Sequence, residues 1–153
     1  MKMKKRISVS ILGIVLLMGA AVPSRAGIVT NTTVPLGMGV AIPCTGDAVF
    51  LTGNLHVLIT SETSASGNTQ VTTHFQPQDL SGVSLMGIRY QGTGVTQQTM
   101  TTTSMTFDGT RVNNFRIIGQ GPGNDLKVHA TIHLTVVNGI PTANVVNTST
   151  TCG

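Results

Sequence analysis

The run from Leu126 to Val137, LKVHATIHLTVV, constrains this chain more than any other feature. Leu126, Val128, Ala130, Ile132, Leu134 and Val136 alternate with Lys127, His129, Thr131, His133 and Thr135. Successive side chains of a strand point to opposite faces, so the run is a long strand with one apolar and one polar face. Its β-branched residues suit a pleated surface. Upstream, Asn113, Phe115 and Ile117 share one face of a second strand, and Val112, Asn114, Arg116 and Ile118 share the other. Between the two lies Gly119-Gln120-Gly121-Pro122-Gly123-Asn124. This segment lacks the Lys-Ser/Thr of a P-loop and the third glycine of a dinucleotide fingerprint, and it leads into a strand rather than a helix. It reads as a hairpin connection with Gly at positive φ.

Strands are expected near 34–42, 47–60, 69–76, 85–91, 94–107, 111–118, 126–137 and 141–150. The turn signals that separate them are Thr45-Gly46-Asp47, Ser64 to Asn68, Pro77 to Gly82, Gly92-Thr93-Gly94, Asp108-Gly109, the central turn and Asn138-Gly139. No stretch carries a helical period. About eight short strands with no helix between them predict an all-β fold: a single antiparallel barrel or, alternatively, a two-sheet β-sandwich.

Residues 1–26 read as a signal peptide. Lys2, Lys4, Lys5 and Arg6 precede an apolar run from Ile7 to Val22, and Ser24-Arg25-Ala26 offers small residues where a signal peptidase reads, so the cut is expected after Ala26. The apolar run falls short of the roughly 20 residues of a membrane span, which makes an uncleaved anchor the weaker alternative. Residues 27–153 then form one domain, exported to the periplasm or beyond, with no membrane span after cleavage. Oligomeric state is open.

Export also changes the charge balance. The chain has nine basic and five acidic residues. Only Arg89, Arg111, Arg116 and Lys127 survive the cut, against Asp47, Glu62, Asp79, Asp108 and Asp125, for a formal charge of −1. Four scattered cations make no basic patch, so nucleic acid is not an expected partner. Cys44 and Cys152 are the only cysteines, and in an exported chain they are expected to form one disulfide that ties the end of the domain to its beginning. Neither has a His or a second Cys at metal-ligand spacing.

Three stretches, HFQPQDLSGVSL from His74, YQGTGVTQQT from Tyr90 and VNNFRIIGQGPGN from Val112, stand out together with PCTGDAVFLTGNLHVLI from Pro43. With these motifs the chain resembles a family of small exported bacterial all-β proteins of unassigned function. It departs from that pattern at Asp79, where Gly is expected, and at Asp125, where Asn is expected. The resemblance implies an all-β fold and export, and no activity.

Candidate chemistry is thin. His56, His129 and His133 fall on the polar faces of their strands, and His74 lies opposite Val71 and Phe75. Imidazoles gathered from neighbouring strands bind transition metals or move protons. His129 and His133 are i and i+4 on a strand, about 13 Å apart, so one metal cannot take both. No metal or other cofactor is therefore expected. Ser84 misses the G-x-S-x-G elbow by one residue. Four of the five acids stand in turns, which leaves no carboxylate pair for sugar hydrolysis. Phe50, Phe75, Phe107 and Phe115 read as core, while Tyr90, flanked by Arg89 and Gln91, is a candidate pocket residue.

With no complete catalytic constellation, the expected role is a non-enzymatic exported β-domain. It would bind a small-molecule ligand or a surface component through some of His56, His74, Tyr90, Arg116, His129 and His133. The alternatives are a structural or interaction module of the cell envelope or extracellular matrix, and a small-barrel enzyme that uses His with Tyr90 or Arg116. A cavity lined by His56, His129 and Arg116 favours ligand binding or catalysis; a solid apolar interior with those residues outside favours the structural module.

Overall fold

A computed structural model describes residues 25–153. The expected signal peptide lies almost wholly outside the described residues. All regular structure among the described residues is β: β1 (Arg25–Ile42), β2 (Asp47–Thr63), β3 (Thr69–Val83), β4 (Arg89–Thr102), β5 (Thr106–Gly119), β6 (Leu126–Val137) and β7 (Ile140–Cys152). They form one antiparallel sheet in the order of the chain, each strand paired with the next.

Among the described residues the count is seven rather than eight. Gly92-Thr93-Gly94 is not a turn but lies inside β4, where its residues pair with Arg116, Ile117 and Phe115 of β5. Gly94 has φ of +126°, and a Cβ there would stand 2.0 Å from the Asn114 carbonyl oxygen. Glycine is here for close backbone approach, the other meaning of a glycine within a strand. Pro77 to Gly82 likewise lies inside β3, at an irregularity in the β3–β4 register between Phe75 and Leu80. Asp79 sits in it with φ of +53°. The real β3–β4 turn is Ser84 to Ile88, closed by Ser84 N–H donating to Ile88 O. Asp108-Gly109 is also strand, within β5. The central connection is the hairpin turn its sequence predicts, with Gly121 and Gly123 at positive φ.

An odd number of strands has a topological consequence. In an antiparallel meander of seven, the first and last strands run parallel, so the barrel cannot close with the pairing used everywhere else. β1 and β7 are the two edges of the sheet, and the expected closed barrel is not formed.

The sheet is nevertheless curled. Flat strands spaced about 4.8 Å apart would put the β1–β2 turn some 25 Å from β7. Cys44, in that turn, is bonded to Cys152 at the end of β7, with Cα atoms 5.6 Å apart. At this end Ile42, Val49, Leu51, Leu80, Tyr90, Ile117 and Leu126, from six different strands, form one buried cluster. Each contributes on the order of 1.5–3 kcal/mol of burial. Leu36, Met38, Val40, Ile88, Phe115 and Val128 pack against it. The register puts the strand residues of the cluster on one face, the concave one: Met38 opposite Leu51, Gly92 opposite Ile117, Phe115 opposite Val128. Away from the disulfide the inner face of β7 stays exposed, including Val146.

Candidate functional site

The six residues singled out in the sequence do not meet. Strand register places His56, His74, Arg116, His129 and His133 on the outer, convex face. His74 pairs with Leu58, so His56 and His74 stand diagonally on β2 and β3. β4 and β5 separate His74 from His129 and His133 on β6, roughly 14 Å at normal strand spacing, and His56 stands one strand farther away. Among the described residues no group of three His, Cys, Asp or Glu could hold a metal ion.

Each of three histidines is engaged locally. His56 Nε2 lies 2.8 Å from Asn31 Oδ1. His129 Nδ1 lies 2.6 Å from Asn114 Oδ1, with Thr131 Oγ1 3.3 Å from its other nitrogen. His133 sits in a fuller network: Thr110 Oγ1 is 2.9 Å from Nδ1, and Thr135 Oγ1 is 3.1 Å from Nε2. Thr135 donates to Asp108 Oδ2 at 2.9 Å, so its only proton is committed. His133 then donates from Nε2 to Thr135, and in the neutral imidazole Nδ1 accepts from the Thr110 hydroxyl. The carboxylate is 3.6 Å from Nε2. A hydroxyl, an imidazole and a carboxylate in line resemble hydrolytic machinery. These lie on the outer face of the sheet, with the His133 and Asp108 side chains 37% and 44% exposed, so solvent reaches the whole array.

Arg116 is paired with Asp125 across the central turn. Hydrogen bonding from Arg116 holds the Asp125 carboxyl below its usual range, helped by the Gly119 backbone and by Lys127. Asp125 also ties down the C-terminus: its N–H donates to Gly153 O and its carbonyl accepts from Gly153 N–H. The Cys44 sulfur rests 3.7 Å from the same carbonyl oxygen. Arg116 is thus part of the clasp around the disulfide.

Tyr90 is the one candidate on the inner face. It is 1% exposed, set opposite Gly82 and Gly119 of the flanking strands. Its hydroxyl and Asp47 Oδ2 are buried without a hydrogen-bond partner among the described residues.

The concavity itself lies beside this cluster, toward the open end. A groove of about 350 Å³ is walled by Leu36 and Met38 of β1, Leu55 of β2, Phe75 and Pro77 of β3, and Phe115 of β5. Thr96, Arg111 and Asn113 supply its polar atoms. Thr96 donates to Asn113 Oδ1 at 2.8 Å, which leaves the Asn113 amide hydrogens as donors. Arg111 makes no ion pair among the described residues, and no carboxylate lines the groove. The sequence did carry a signal for this site. Arg111 and Asn113 fall in step with Phe115 and Ile117, two polar residues on an apolar face. Nothing in the chain alone showed that β1, β2 and β3 would curl over them.

No protein-family model matches the chain, and neither curated proteins nor solved structures give a match.

Proposed function

We propose that the chain is an exported, non-enzymatic β-domain whose concave face holds a small ligand. The carrying observation is the groove: an apolar wall from four strands with Thr96, Arg111 and Asn113 at one side. Ligand sites have this composition, a mainly apolar lining with a few placed polar groups. The reading differs from the one centred on histidine, because His56, His129 and Arg116 are outside while the interior is apolar but not solid. Export is supported by the residue pattern at 1–26 and by the disulfide, which persists in oxidising compartments. The resemblance to small exported bacterial β-proteins points the same way. Methyl NMR of the oxidised domain titrated with octanol tests the site. Shifts concentrated at Leu36, Met38 and Leu55 support it, and shifts spread over the outer face or absent altogether refute it.

A second reading, an interaction module of the envelope or matrix, is favoured by β7. This edge strand carries no charged residue and is exposed at every position but Ala143. Natural edges are usually blunted by charge, bulges or cover. Pairing with another copy through this edge would be abolished by Val145→Lys. Sedimentation of the wild type as a monomer at high concentration would remove this reading.

A further inference from the structure

The groove has a charge as well as a shape. Its lining contains one guanidinium, one carboxamide turned so that its hydrogens are free, one hydroxyl already committed as a donor, and no acid. Donors therefore outnumber acceptors, and the only formal charge is positive. Arg111 stands on β5 between Gln98 of β4 and Ile132 of β6, with Asn113 two residues along on the same face. The two present neighbouring donors from one strand, a rigid element. The opposite wall is Leu36, Met38, Leu55 and Phe75.

Building on the proposed ligand-binding role, we infer that the groove takes a small amphipathic carboxylate. Its oxyanion is received by the Arg111 guanidinium and the Asn113 amide, and its apolar body lies against Phe75, Leu55 and Met38. A planar carboxylate matches the guanidinium fork, and hydrogen bonds to an ionised partner are about twice as strong as neutral ones. The size sets a limit on the body. About 350 Å³ is at the small end of the roughly 300–1,000 Å³ range of ligand sites, so a short alkyl chain or a single ring fits and a diacyl lipid does not. A cationic ligand is disfavoured by Arg111, and a sugar finds few acceptors and no flat indole.

The test is calorimetric titration of the oxidised wild-type protein and of Arg111→Gln with octanoate, octanol, octylamine and inorganic phosphate. Arg111 is solvent-exposed, so its replacement leaves the fold intact, which a melting curve checks. Octanoate is expected to bind the wild type at least tenfold more tightly than octanol or octylamine, and Arg111→Gln is expected to remove that preference while leaving octanol unchanged. Phe75→Ala should weaken octanoate and octanol alike. Equal binding of octanoate and octanol, or an octanoate affinity unmoved by Arg111→Gln, overturns the carboxylate inference but leaves the groove as a neutral ligand site. Phosphate binding as tight as octanoate reduces the site to a simple anion contact and also overturns it. Failure of every probe overturns both the inference and the ligand-binding role.

Discussion

Cys44, in the turn that follows β1, is bonded to Cys152, the last residue of β7, although the two lie at opposite ends of a sheet seven strands wide. That one bond replaces the ladder that a closed barrel would have between its first and last strands. It gathers one end of the sheet around a core and leaves the other end open, and the groove lies beside that core.

Losing the bond should therefore cost both stability and shape. The cysteines are 108 positions apart, and the chain-entropy model assigns about 4.7 kcal/mol to a loop of roughly this length, with measured losses of about 2–5 kcal/mol. Cys44→Ser with Cys152→Ser is expected to lower Tm by on the order of 10 °C and to expose the inner face to an apolar dye. An unchanged Tm would show that the core and the β ladders hold the curl without help.

The clasp around the bond should respond to acid. The Asp125 carboxyl titrates below its unfolded value because it accepts a hydrogen bond from Arg116. A depressed folded pKa stabilises the protein above the unfolded pKa, near pH 4, and the contribution disappears as pH falls through the lower, folded value. Arg116→Gln should accordingly lower Tm by a constant amount above about pH 5, with the gap closing below about pH 4. A gap that widens in acid would contradict the assignment.

Two residues show how far the sequence could be read. The alternation in β6 and the central turn were legible, because period and turn chemistry are local; the pattern of β5 was less cleanly two-sided. So were the disulfide and the all-β class. Strand number was not. Gly92 and Gly94 carry the same symbols as turn glycines, yet Gly94 is glycine because the Asn114 carbonyl of β5 approaches it, a contact between strands that the chain does not spell out. Missing it split β4 in two and turned seven strands into eight, and the parity of that count decides whether a barrel can close with antiparallel pairing throughout. His56, His129 and His133 do stand on the polar, outer face of their strands. Which face turned inward depended on the curl.

Gly94→Ala is thus a sharp probe. A Cβ at 2.0 Å from a backbone oxygen cannot be absorbed by a rotamer change, and φ of +126° is closed to alanine. The variant is expected to lose about 3 kcal/mol or more by urea denaturation. A loss under about 1 kcal/mol would mean that β4 and β5 do not approach so closely.

Asp79 is the converse case. It occupies the left-handed region, φ +53°, which glycine adopts at no steric cost. Asp79→Gly should relieve strain of about 1–2 kcal/mol against an entropic cost of about 0.5–1 kcal/mol. The variant is expected to be as stable as wild type or up to about 1.5 kcal/mol more so in urea. A loss greater than about 1 kcal/mol would assign the Asp79 carboxylate a role of its own in the β3 irregularity.

The central claim is that the curled face carries a ligand. Native mass spectrometry of the protein taken from the exported fraction of its own host, without denaturation, tests it most directly. The account predicts the oxidised chain of residues 27–153 together with a second species heavier by one small organic acid, and that species should vanish in Arg111→Gln. A single bare mass in both proteins would contradict the ligand-binding account and shift the role to the β7 edge.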